Sequence, residues 1–360
     1  MARVLKLALA PVAIVALQLA FLFPELTERW YGEMAYPLVV RWFAAVNRSS
    51  SSYAEIGVGA AIALVPFAIY LSIRGMSRRQ KLVRLLGASW FGAGITLTVF
   101  LLLWGFNYAR PSLPDRLGLS PVNADARRVL EAGKRAARLT TMLFAELRQE
   151  RGPTEMPFSL EELATRVDLG YHDLGLPGDF IDSATTPAKM LRSSVLFSHL
   201  GISGIFVPFT GEPSVNTLQP DVSLPMVVAH EKAHQRGITH EGDASFAAFL
   251  VCSRETADVY LRYSAYLFAT RRLIGEASYT LPRNDVLEAW KLIGPGPVED
   301  LAAIQDFWSR YEGAASATAS RVNDRYLRAF GVNEGVASYG RVVELLMALD
   351  EEGRLLPENR

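Results

Sequence analysis

Three stretches of the chain carry no charged residue and few polar ones: Leu7 to Phe23, Ile56 to Ile73 and Leu85 to Ala109. Each approaches or exceeds the roughly 20 residues an α-helix needs to cross about 30 Å of hydrocarbon. The pattern predicts three transmembrane helices rather than three buried core helices. The link between the second and third, "RGMSRRQKLVR", holds Arg74, Arg78, Arg79, Lys81 and Arg84 and no acid. Short basic loops stay on the cytoplasmic side. The N-terminus is then also cytoplasmic, and residues 24–55 and everything after 109 lie outside. The first stretch has a basic start, Arg3 and Lys6, but no small-x-small cleavage site follows it, so it reads as an uncleaved anchor. Pro37 to Asn47, apolar with one Arg and two aromatics, reads as a helix lying at the outer interface.

After residue 109 the pattern changes. "NYARPSLPDRLGLSP" is Pro-rich and reads as a linker leaving the membrane. Residues 123–150 place Val129, Ala132, Ala136, Leu139, Leu143 and Leu147 at helical spacing. Ser159 and Glu162 form a capping box that opens another helix. Residues 244–274, 299–330 and 335–349 are helical in pattern, and "GISGIFVPF" at 201–209 is β-like. The predicted fold is mainly α. A membrane domain of three transmembrane helices (1–109) precedes a mostly helical outer domain (110–360) with a small β element.

Lysine plus arginine and aspartate plus glutamate both total 37, so net charge is zero and nothing points to a nucleic-acid partner. The single cysteine, Cys252, excludes an internal disulfide and a cysteine-rich zinc site. Any metal must be held by histidines and carboxylates. Of the five histidines, His230, His234 and His240 fall in one stretch, "VAHEKAHQRGITHEGDA", and His172 and His199 are isolated.

His-Glu-x-x-His on a helix puts His230 and His234 on one face, where two imidazoles can grip one zinc ion beside Glu231 as a proton acceptor. Pro225 suits the first turn of that helix and Gly237 ends it. Three residues compete for the third zinc position. His240 completes a metzincin-like spelling, but the only later methionine, Met347, sits in a helical run and no Met-turn follows. Glu241, in "EGDAS", has the form E-x-[DE]-A-x of a ligand brought from a second helix, with Ser245 one turn on to orient a ligand histidine. Asp243 is short for the reach. Glu241 ranks first, His240 second and Asp243 third. Residues 209–216 offer a strand that binds substrate backbone. Tyr260, Arg262, Tyr263, Tyr339 and Arg341 are candidate donors to an oxyanion.

The stretches "LFSHLGISGIFVPFTGEPSVN", "VVAHEKAHQRGITHEGDASFAAFLVC", "YLRYSAYL" and "NDRYLRAFGVNEGVASYGRVVELLMA", with "WGFNYARPSLPDRLGL", resemble a bacterial domain-of-unknown-function family. Its members are three-span membrane proteins with a zincin-like outer domain. After the glycine the family pattern resembles I-A-R-E-D-E-A-N-F, against "ITHEGDASF" here. Glu241 and Ala244 are kept, Asp243 stands for Glu, Ser245 for Asn, and His240 for Arg. The resemblance implies a gluzincin-like metallopeptidase fold and supplies no substrate.

The expected protein is thus a zinc metallopeptidase of the bacterial inner membrane, multi-pass, with its catalytic domain extracytoplasmic. Its partners are the lipid bilayer and a peptide or protein substrate. His230, His234 and Glu241 hold Zn2+, and Glu231 is the base. A rival reading is a non-hydrolytic metal-binding membrane protein acting as a sensor or assembly partner, which has no need of a base at Glu231. A transporter would need charge inside the membrane stretches, and they carry none.

Overall fold

The computed structural model describes residues 2–148, 152–174, 185–332 and 340–356, with side chains from Leu7 onward. The chain opens with α1 (Ala2–Leu22), turns through α2 (Pro24–Thr27) and a π-helical stretch (Glu28–Ala35), and enters α3 (Tyr36–Val46). Two long helices come next, α4 (Tyr53–Ile73) and α5 (Arg78–Leu103). Then come α6 (Leu113–Leu117), α7 (Ala126–Glu146) and α8 (Leu160–Leu174). A small sheet is built from β1 (Lys189–Met190), β2 (Gly204–Val207) and β3 (Glu212–Val215), with α9 (Ser194–His199) between β1 and β2. The rest is helical: α10 (Leu224–Gln235), α11 (Glu241–Ser253), α12 (Val259–Ala277), α13 (Arg283–Trp290), α14 (Pro295–Ser309), α15 (Ala314–Ala329) and α16 (Arg341–Glu351).

Helices α4 and α5 are each long and apolar enough to cross a membrane. The first stretch passes that test only when α1 is joined to the segment Pro24–Val46. Leu7–Leu22 and Pro24–Val46 meet at a bend of 108°, so the described residues hold two such helices, or three if the bent pair is one span. α1 lies along α5. A Cβ on Gly94 would come within 3.1 Å of the Ala10 nitrogen, and the Trp90 indole donates to the Leu7 carbonyl at 3.2 Å. α3 buries Tyr36, Val40 and Phe43 and leaves Leu38, Trp42 and Val46 exposed at four-residue spacing. That apolar stripe has the form of an interfacial helix.

The third apolar stretch does not stay helical to Ala109. α5 stops at Leu103, and Gly105–Ala109 form a 3-10 turn. The Asn107 amide donates back to the Trp104 carbonyl at 2.8 Å and so closes the helix end. Trp104 and Tyr108 then pack with Leu17 of α1, Phe100 of α5, Leu327 of α15 and Val332 in one buried cluster. The start of α4 is tied down by Glu212, the first residue of β3. Its carboxylate accepts from Ser52 Oγ (3.0 Å), Tyr53 N (2.8 Å) and Ala54 N (2.9 Å) at the helix N-terminus, and from Asn47 Nδ2 (2.8 Å).

After residue 109 the chain packs helices around a core in which α7 lies along α12. Ala132, Ala136 and Gly133 let the two approach closely, and a Cβ on Gly133 would sit 2.8 Å from Ile274. The sheet has the order β1-β3-β2, with β1 parallel and β2 antiparallel to β3. The 123–150 pattern becomes α7, capped by Asp125, and the Ser159–Glu162 capping box is formed. The expected helix 244–274 is two helices, because Asp258 caps α12 through the Tyr260 amide at 2.8 Å. The expected helix 299–330 breaks at Gly313, and 335–349 is α16 from Arg341, residues 335–339 lying outside the described set.

One buried ionic group fixes α10 from behind. Asp168 of α8 accepts from Lys232 Nζ at 2.9 Å and Arg236 Nη2 at 2.7 Å, both cations essentially unexposed. The Arg236 guanidinium also lies 4.2 Å over the Tyr171 ring, whose hydroxyl donates to the Ala229 carbonyl at 2.8 Å. Asp168→Ala leaves two buried cations uncompensated, and breaking such a group costs about 3–5 kcal/mol. The expected result is a loss of that order in thermal or denaturant unfolding of the full chain. Burial opposes ionisation of Asp168, but Lys232 and Arg236 outweigh it and hold the carboxyl below its ordinary value. The folded pKa is thus lower than the unfolded one, about 3.9. The stability from this group is complete above that value and is lost as pH falls through the folded pKa. Asp168→Asn should lack that acid step.

Candidate metal centre

The motif helix α10 starts with Pro225 in its first turn and buries Leu224, Val228, Ala229 and Ala233. It ends in a left-handed turn: Gly237 has φ +79°, its N–H reaches the His234 carbonyl at 2.9 Å, and the Ile238 N–H reaches Ala233 at 3.1 Å. A Cβ at Gly237 would also strike Asn107 Oδ1 at 2.6 Å. The turn lets α11 begin at Glu241 and pack against α10.

His230, His234 and Glu241 converge, each offering one donor atom within 4.8 Å of the others. His230 Nε2 lies 3.0 Å from Glu241 Oε2, His234 Nε2 lies 3.1 Å from His230 Nε2, and His234 Nε2 lies 3.5 Å from Glu241 Oε2. Donors about 2.0–2.2 Å from a tetrahedral ion stand about 3.3–3.6 Å apart. One separation is in that range and the other two fall a few tenths of an ångström short, so a small outward shift of the side chains would admit one small metal ion. The far ring nitrogens are held. His234 Nδ1 donates to the Ile238 carbonyl at 2.7 Å, and His230 Nδ1 is 3.2 Å from Ser245 Oγ. These contacts aim both Nε2 atoms at the cluster. Ser245 thus stands where the sequence placed it.

Glu231 is almost fully buried on the same helix and is not one of the three donors. It faces β2. A Cβ on Gly204 would come within 2.6 Å of its carboxylate, and the Phe206 backbone N–H donates to it. Burial pushes its pKa up to about 8. Burial also works against a charge on His234, but Glu241 prevails and raises it to about 9. For Glu241, burial works against ionisation, but the two imidazoles prevail and hold its carboxyl far below the usual range. His230 is lowered, chiefly by burial, with Arg272 adding to the effect.

The other candidates fall elsewhere. His240 stands at the N-cap position of α11 without a side-chain capping bond, its Nδ1 3.4 Å from Thr239 Oγ1. Asp243 is buried, accepts from the Leu113 N–H at 3.2 Å and faces Arg341 at 3.5 Å. Neither joins the donor cluster. Arg341 is therefore engaged with Asp243, and Tyr263 donates to Asp300 at 2.5 Å inside the core. Tyr260 is fully buried against Phe158, Arg262 stands on the same α12, and Tyr339 lies outside the described residues. His199 packs on Tyr311, and His172 sits beside Asp173.

The region 209–216 does not present a free strand. It contains β3, which is buried and paired on both sides, while the edge strands are the two-residue β1 and β2. Sequence reasoning also missed an aromatic wall. The Trp104 indole donates to the His234 carbonyl at 2.9 Å, and its ring meets the His234 ring edge-on at 6.3 Å. Tyr108 comes next at 5.2 Å, and its hydroxyl is 3.2 Å from that of Tyr326 on α15. Tyr326 is partly exposed and near enough to Glu241 for that charge to help burial raise its pKa. Trp104 was hidden by its apolar neighbours, and Tyr326 by lying 85 positions beyond Glu241 with no spacing cue.

No curated protein and no solved structure matches the chain. Residues 31–347 match the family described as protein of unknown function (DUF3810), and the chain belongs to that family.

Proposed function

We propose that this protein is a zinc-dependent metallopeptidase with a zincin-like outer domain, anchored by three spans in the bacterial inner membrane. The observation that carries the reading is the position of Glu231, between a His230–His234–Glu241 donor set and the open edge of β2. A site that only bound a metal would have no use for a buried carboxylate directed at a strand edge. When bound, zinc lowers the pKa of a water and polarises a carbonyl. His230, His234 and Glu241 hold the ion, and Ser245 and the Ile238 carbonyl orient the imidazoles. Glu231 takes the proton from the attacking water and returns it to the leaving amine. A peptide added along β2 presents its backbone beside Glu231, and the Tyr326 phenol, within electrostatic reach of Glu241, steadies a developing oxyanion.

The test is hydrolysis of a peptide library by the purified full-length chain, with and without zinc. Cleavage that disappears on chelation and returns with zinc is the expected outcome, and a zinc-loaded protein that cuts nothing sinks the reading. The basic loop at 74–84 motivates the orientation. A reporter active only outside the cytoplasm should therefore work when fused after Arg360, and activity of a cytoplasm-only reporter there would invert the topology.

A further inference from the structure

The donor cluster stands close to the end of a helix that is long and apolar enough to cross a membrane. Trp104 is the residue after the last turn of α5, and its indole holds the carbonyl of His234. The Tyr36 hydroxyl, on the first residue of α3, donates to the next carbonyl, that of Gln235, at 2.9 Å. The end of the motif helix is thus gripped by the two segments that carry the chain out of its apolar helices.

The open strand points the same way. β2 begins with Gly204 against Glu231. Phe206 packs on Trp104 with ring centres 5.7 Å apart, and Phe209, just beyond the strand, packs on Phe100 within α5 at 6.3 Å. At about 3.3 Å per residue, Gly204 and Phe209 are about 17 Å apart at most. The edge beside Glu231 therefore reaches the outer end of α5 within roughly one strand length. Phe209 is itself exposed, as are Val195 and Leu196 on α9. α9 is joined to the start of α4 through Glu55, which accepts from the Ser193 amide at 2.9 Å. Exposed apolar side chains gathered where the long apolar helices begin and end suit contact with a bilayer surface rather than water.

We propose that the substrate is a membrane-tethered polypeptide, cut in the extended segment next to its own anchor. This rests on the peptidase reading above. A segment leaving the bilayer beside Phe209 can lie along β2 and reach Glu231 with few residues between anchor and cut. A substrate held far from the membrane gains nothing from that geometry.

The experiment uses full-length protein in zinc-supplemented liposomes of phosphatidylcholine and phosphatidylglycerol. A degenerate ten-residue peptide library is offered in three forms. One is free in solution, one is joined to a hydrophobic helix by about 3 residues, and one by a flexible linker of about 30 residues, which spans about 30 Å on average. Both anchored forms are made with the helix on either side of the library. The short-linker form is expected to be cut at least about 10-fold faster than the long-linker form at equal surface density, with cuts clustered near the anchor. Equal rates for the two linkers, or faster cutting of the free library, overturn the substrate class and leave the peptidase reading standing. No cleavage of any form by zinc-loaded protein overturns both.

Discussion

Glu231→Gln should lower kcat for any substrate found by about 10²–10⁴-fold, the usual contribution of a positioned general base, and should leave zinc near one equivalent. The two side chains have nearly the same shape, so the amide can keep its place against Gly204 and still accept from the Phe206 N–H. What it cannot do is take a proton. Because Glu231 is not among the three converging donors, its replacement does not open the cluster. KM should change little, since the loss falls on the chemical step rather than on uniform binding. The check is metal analysis beside steady-state kinetics on the same preparation. Loss of zinc together with activity would make Glu231 a ligand, and unchanged kcat would remove it from the mechanism.

Much of the fold was legible because apolar runs and 3.6-residue spacing report directly on helices. The ends were less so. In "LLLWGFNYA" Gly105 and Asn107 are stop signals just past Leu103, but the uncharged run reads through them to Ala109, because Trp, Phe and Tyr serve a helix facing lipid and a turn packed against protein equally well. The stop combines local bonds of Asn107 with Trp104 and Arg110 and one long-range partner, the His234 carbonyl that takes the Trp104 indole N–H. Pro24 marks the break after Leu22, but its 108° angle was not legible, since composition alone reads the first stretch as an ordinary span.

At the site, short range was readable and long range was not. The i, i+4 spacing of His230 and His234 sets their common face, and the Gly237 turn returns the chain within a few residues to Glu241. Ser245 lies one turn further along α11 and meets His230. The open edge was misassigned because both strands of the β2–β3 hairpin are only four residues long and neither carries a period that says which is central. Which of them is central depends on β1, two residues long and distant in sequence. Asp243 could be ranked last on length, but its real occupation with Leu113 and Arg341 is a tertiary fact.

Removing Glu241 should empty the proposed metal centre. It supplies one of three donors, and its carboxylate is the counter-charge to both imidazoles at 3.0 and 3.5 Å. Without it the half-buried His230 and the buried His234 are left to hold a dication with no carboxylate beside them apart from Glu231. The expected loss in zinc affinity for Glu241→Ala exceeds the about 10–100-fold typical of an outer contact, which is the range expected for Ser245→Ala. His240→Ala should bind zinc within a few-fold of the native chain, because its ring lies beside Thr239 and outside the cluster. Asp243→Ala should also retain zinc while losing stability, since the Leu113 amide and Arg341 lose a buried partner. Equilibrium competition against a chromogenic chelator on the four variants separates these outcomes. If His240→Ala empties the site while Glu241→Ala stays loaded, the chain must bring His240 round to the metal. The second-helix carboxylate would then have to give way to a three-histidine centre.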